Sequence, residues 1–159
     1  MIANIANTKN EVMQRFIFFL SVTFFSVAAV AQIKDPVKWS ASSKKKGDSY
    51  EVVLTATLPK PWHIYSQKTE GAVPISFKFN KNPLLTFQGN VKEVGKLKSE
   101  YDKLFDATVK YYADKVDFVQ TVKVKGNLKT NVGVTVEYMT CDDHQCLPPT
   151  KKTFNVALN

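Results

Sequence analysis

Strict two-residue alternation, turn residues at short intervals and a scarcity of helical periodicity predict an all-β chain, an immunoglobulin-like antiparallel β-sandwich. In YEVVLTATL, Tyr50, Val52, Leu54, Ala56 and Leu58 point one way. In VDFVQTVKV, Val116, Phe118, Val122 and Val124 share a face, with Asp117, Thr121 and Lys123 opposite. In VGVTVEY, Val132, Val134, Val136 and Tyr138 lie on one side and Gly133, Thr135 and Glu137 on the other. Side chains along a strand alternate between faces, so each run reads as a strand with one buried face. Shorter candidates are residues 73–79, 84–87, 109–113 and 153–158. Between them lie Lys46-Gly47-Asp48, Pro59-Lys60-Pro61, Lys81-Asn82-Pro83, Gly89-Asn90 and Gly126-Asn127, all residues that favour turns. The stretch KLKSEYDKLFDATVKYY is charged, with isolated aromatics, and is expected to form a long excursion or hairpin. Such loops carry function on a rigid scaffold.

The first 31 residues read as a signal peptide. Arg15 precedes the apolar run FIFFLSVTFFSVAAV, which ends in the small-x-small sequence Ala29-Val30-Ala31. The run has 15 residues, short of the roughly 20 that span a bilayer. The polar residues before Met13 read as an upstream start, and cleavage is expected after Ala31. Residues 32–159 then form a single domain of 128 residues, long enough to build its own core. Without Lys9, Arg15 and Glu11 the mature region has 20 basic and 13 acidic residues, a net charge of +7. Every basic residue in it is lysine. Base and phosphate recognition favours the bidentate arginine fork, which argues against a nucleic-acid partner. The lysines instead keep an exported protein soluble, and outside the cytosol a disulfide persists.

The only two cysteines, Cys141 and Cys146, lie in TCDDHQCLPPT. Three readings compete. As a staple the pair closes a ring of only six residues, worth about 2.2 kcal/mol in chain entropy against about 4.7 for a loop of 100. As a metal site Cys141, His144 and Cys146 lack the second ligand pair that structural zinc sites use, and His63, the other histidine, is distant in sequence. No metal is expected. As a redox pair the spacing differs from Cys-x-x-Cys. Pro148 and Pro149 bar a helix directly after Cys146, so helix-dipole activation is not expected there. Asp142 and Asp143 disfavour a further negative charge and raise the thiol pKa values. The outcome is a thiol pair sluggish towards arbitrary partners and dependent on a docked one.

These residues also carry a resemblance. VTVEYMTC running into CLPPT is similar to the cysteine element of the N-terminal periplasmic domain of the thiol–disulfide interchange protein DsbD. PWHIYSQ, residues 61–67, resembles that family's aromatic strand beside the cysteines, and EYDKLFD, residues 100–106, falls where the family has its cap loop. The resemblance implies an immunoglobulin-like domain that receives electrons from a thioredoxin-fold partner and passes them to oxidised periplasmic proteins. It implies that Cys146 forms the mixed disulfide and Cys141 resolves it. By the same likeness Phe105 is the cap over the pair, Tyr65 and His63 line the site, and Asp102 and Asp106 flank the cap as candidates for proton handling. His63 stands where the family often has another aromatic. The loop between the cysteines is one residue shorter than in the best-known members, and it is acidic. The family's membrane-embedded and thioredoxin-like parts are not in this sequence, so a separate thioredoxin-fold protein or membrane thiol reductase is the expected electron source. No cofactor and no small-molecule substrate are expected. The alternative is a non-catalytic envelope protein that binds another protein and keeps an inert local disulfide.

Overall fold

The computed structural model describes residues 35–126 and 128–158. The expected signal peptide lies outside them. Among the described residues there are nine strands and no helix. They are β1 (Lys38–Lys46), β2 (Ser49–Thr57), β3 (His63–Tyr65), β4 (Ser76–Phe79), β5 (Leu85–Asp102), β6 (Ala107–Val124), β7 (Thr130–Tyr138), β8 (Thr140–Cys141) and β9 (Thr150–Leu158).

Strand β6 is the spine of a six-stranded sheet. Along one edge it pairs with β5 for nearly its whole length, forming a long antiparallel hairpin. Its other edge is shared end to end: β2 takes Lys115 to Lys123, and β3 takes Tyr111 to Ala113. Beyond them lie β1 against β2 and β8 against β3. The second sheet has three strands in the order β4-β7-β9. All the strand pairs are antiparallel.

The core between the sheets is built by the expected alternation. Val52, Leu54 and Ala56 of β2 and Val116, Phe118 and Val122 of β6 meet Val132, Val134 and Val136 of β7 in one buried cluster. Phe118 is 1% exposed and packs against Phe77 of the opposite sheet, with ring centroids 5.0 Å apart. Gln120 interrupts the apolar row. Its amide donates to the carbonyls of Gln88 and Thr121 at 3.1 and 2.9 Å, which satisfies the buried group beside a bulge in β5.

Two details differ from the sequence reading, and the charged stretch forms the hairpin it allowed for. Strand β1 was not expected, because KWSASSKKK is an edge strand that exposes most of its residues. The candidates at 109–113 and 116–124 are one strand, β6, which passes through Asp114 with its φ of 68°. The charged stretch is the far half of the β5–β6 hairpin, closed by a turn at residues 103–106.

Candidate redox site

Cys141 and Cys146 are joined in a disulfide, with Cα atoms 4.1 Å apart. They face each other as an antiparallel bridge, and residues 142–145 close a hairpin turn between them. The Asp142 N–H donates to the Gln145 carbonyl at 2.9 Å, and the Leu147 N–H to the Thr140 carbonyl at 2.9 Å. The Asp142 side chain completes the turn, its Oδ1 accepting the His144 and Gln145 N–H groups at 2.9 Å each. The bond from His144 is the main reason this carboxyl is held below its ordinary value of 3.8. A fixed negative charge therefore sits next to Cys141.

The disulfide is on the back of the large sheet, away from the sandwich core. Residue parity explains this. Ile64 of β3 and Tyr112 of β6 point into the core, whereas Tyr65 and Val109 join a second buried cluster with Met139 and Cys141. Ala72, Phe105, Tyr111 and Cys146 pack around that cluster, each partly exposed. Cys141 is 0% exposed.

The hairpin tip leans over this cluster and is tied down by a polar chain. Asp102 accepts the Leu104 N–H on Oδ1 at 2.8 Å, a local turn that starts the bend. Its Oδ2 accepts the Tyr65 hydroxyl at 3.0 Å. Burial and the Asp102 carboxylate push the Tyr65 phenol well above its ordinary range, so it stays protonated. Phe105 meets Tyr65 edge to face at 5.7 Å, a favoured aromatic geometry. Behind the site, Glu93 of β5 accepts the Ser66 hydroxyl and the Gln67 N–H at 2.7 Å each, bracing the chain that leaves β3. Gly71, with φ of +78°, lies so close to the tip that an added Cβ would sit 2.5 Å from the Ala107 Cβ. A cleft of about 670 Å³ opens beside the pair, between the hairpin and the cysteine turn, with His63, Asp102, Tyr111, Asp142 and Asp143 among its walls.

The local disulfide thus has one buried and one partly exposed cysteine, beside the aromatic tip of the hairpin. The family described as thiol:disulfide interchange protein DsbD, N-terminal, matches residues 30–158. This chain belongs to that family. It is a thiol–disulfide interchange domain of the DsbD N-terminal type. No curated protein sequence matches it. Among solved structures it is similar to the Neisseria meningitidis DsbD N-terminal domain in the reduced form, with a TM-score of 0.52 and 17% identity over 76% of this chain and 86% of that one. It is also similar to the N-terminal periplasmic domain of ScsB from Proteus mirabilis, with a TM-score of 0.56 and 16% identity over 77% of this chain and 46% of that one. At these identities the structures speak to the fold, the DsbD N-terminal sandwich.

Of the residues singled out in the sequence, Cys141, Cys146, Tyr65 and Phe105 lie in one cluster, and His63 and Asp102 join it through the Tyr65 hydroxyl. Asp106 sits apart on the exposed side of the turn, at φ 51°, where it accepts the Tyr101 hydroxyl. Trp62 belongs to the sandwich core. The sequence reading missed Val109, Tyr111 and Met139 as walls of the site; the alternation Val109, Tyr111, Ala113 opposite Tyr112 was the available signal. Among the described residues no group of three or more His, Cys, Asp or Glu is arranged to hold a metal ion.

Proposed function

We propose that this chain is a periplasmic carrier of reducing equivalents, exported by a cleaved signal peptide and working through Cys141 and Cys146. It takes electrons from a thioredoxin-fold protein or a membrane thiol reductase and delivers them to oxidised periplasmic proteins of the thioredoxin fold. The observation that carries this reading is the asymmetry of the pair: Cys141 is fully buried, whereas Cys146 is partly exposed below the rim of the hairpin tip. One thiol is available to a docked partner and the other is held in reserve.

In the reduced state Cys146 gives up its proton and its thiolate attacks the partner's disulfide. One sulfur–sulfur bond forms, the partner's own breaks, and the departing partner thiolate takes up a proton. Cys141 then loses its proton and attacks the Cys146 sulfur, expelling the partner's second thiolate. Two electrons and two protons have moved to the partner, and the local disulfide remains. Phe105 acts as the cap that keeps small oxidants away until a docking protein moves the tip. Tyr65 and His63 line the site, and Asp102 latches the tip to Tyr65. Asp106 steadies the turn through Tyr101.

A Cys141→Ala variant tests this directly, since its Cys146 adduct has no resolving thiol. Incubated with oxidised thioredoxin-fold periplasmic proteins, it should accumulate a mixed disulfide visible on a non-reducing gel. A variant that traps none of them contradicts the proposal.

A further inference from the structure

We propose that His63 is the proton acceptor for the Cys141 thiol in the resolving step, an inference that rests on the carrier reading above. Cys141 must ionise to attack, yet its position opposes ionisation. It is wholly buried and adjoins a carboxylate that stays charged. Both conditions disfavour a thiolate. A base close by is the remedy, and His63 is directly opposite Cys141 in the β3–β8 pair. Residues directly opposite on paired strands share a face, with Cβ atoms about 5 Å apart.

The hydrogen bonds fix what the ring can do. Its Nε2 is 3.2 Å from the Tyr65 hydroxyl, whose single proton goes to Asp102 Oδ2 at 3.0 Å. The hydroxyl therefore accepts from Nε2–H, and in the neutral ring Nδ1 is left as the basic nitrogen. Protonation at Nδ1 leaves the chain from Nε2–H through Tyr65 to Asp102 in place, and no heavy atom has to move. The ring is held for this task, 9% exposed and packed against Tyr111 with centroids 4.6 Å apart.

The charges around the ring come from every neighbouring element. Asp102 and Glu100 face the cleft from β5, Asp142 and Asp143 from the cysteine turn and Asp114 from the bend in β6, and Lys60, Lys96, Lys98 and Lys103 oppose them from the β2–β3 connection, β5 and the hairpin turn. Tyr65 and Tyr111, both pushed above their ordinary range, stay neutral. Burial keeps the ring's pKa below 6.5, while Asp102, Asp143 and the Pro61 carbonyl favour the charged ring. At neutral pH the imidazole is thus free to take a proton, and the carboxylates stabilise the ion once it forms. The proton leaves the Cys141 sulfur for Nδ1, the thiolate attacks Cys146, and the ring returns the proton to the departing partner thiolate through the cleft. No co-reactant is needed.

The test separates the two steps. Reduced protein is mixed with excess oxidised glutathione between about pH 5 and pH 8, the range in which histidine titrates. Acid-quenched samples are then assayed by mass spectrometry for the mixed and the internal disulfide. His63→Phe should slow closure of the internal disulfide by about tenfold or more and abolish its dependence on the ring's titration, while the mixed disulfide forms at the wild-type rate. His63→Gln, which can still donate to Tyr65 but cannot take up the proton, should show the same loss. Rescue by glutamine, unchanged closure, or equal slowing of both steps would overturn the proposal. Wild-type protein that forms neither disulfide would overturn the carrier reading with it, whereas closure that proceeds without His63 sinks this inference alone.

Discussion

The two faces of the large sheet are built from the same strands and do different work. The inner face is an apolar sandwich core of valines, leucines and Phe118, in which the buried amide of Gln120 is satisfied by backbone carbonyls. Among the described residues the outer face buries Tyr65, Val109, Met139 and Cys141 as one apolar cluster, with His63, Asp102 and Asp142 around it. In β3 the division falls between neighbours: Ile64 goes to the core, His63 and Tyr65 to the site. Strand alternation thus lets one three-residue element serve the core on one face and the cysteine cluster on the other. The core has a second sheet to cover it; among the described residues the cysteine cluster has the hairpin tip and the chain around Gly71 and Ala72. A cover made of a turn can move at small cost, whereas a cover made of a sheet cannot.

That contrast can be broken from either side. Phe118→Ala opens a cavity in the inner face and should cost about 3–5 kcal/mol of stability, read from a shift in the urea midpoint. The fraction of oxidised cysteine pair in a fixed redox buffer should not change; a shift in that fraction with little loss of stability would mean that the faces are not separable. Phe105→Ala acts on the other side. Its half-buried ring contributes about 1 kcal/mol to stability by area, but its loss should speed reaction of the reduced pair with small disulfides roughly tenfold, the equivalent of ~1.4 kcal/mol of barrier. An unchanged rate would remove Phe105 as the cap. The smallest effect is on acid stability. His63 has a depressed pKa in the fold, so an unfolded chain protonates first as pH falls below 6.5. Stability is therefore full above that value and declines as pH falls through the depressed one, by less than about 1.4 kcal/mol per pH unit, the limit for a single proton. The depressed Asp142 carboxyl adds its own loss only below 3.8. Denaturation series with His63→Phe should lack the upper of these two windows.

The strands legible in the sequence were those with one wet and one dry face, such as β2 and β7, where burial leaves a period of two. Strand β1 has no such pattern: only Trp39 and Ser43 are not exposed, and its ladder is held by backbone bonds to β2 that the side chains do not report. Strand β6 was read as two because the charged pair Asp114-Lys115 interrupts its alternation; Asp114 is left-handed there, and the ladder resumes beyond it. The cysteine turn was legible because all its parts are local. The contacts that make it a site are not: Tyr65 reaches Asp102 across 37 residues, and His63 meets Cys141 only because β8 pairs with β3. EYDKLFD runs into the hairpin tip, where only the fold distinguishes Asp102, which bonds Tyr65, from Asp106, which bonds Tyr101.

The central claim is that Cys141 and Cys146 exchange electrons rather than staple a loop, and the most direct measurement is their equilibrium with a series of glutathione and dithiothreitol buffers. Alkylation followed by mass spectrometry gives the fraction oxidised in each. The account predicts a midpoint above about −300 mV, within reach of thioredoxin-fold partners. A midpoint well below about −300 mV, the range of structural bridges, would contradict it and leave an inert disulfide in a binding domain.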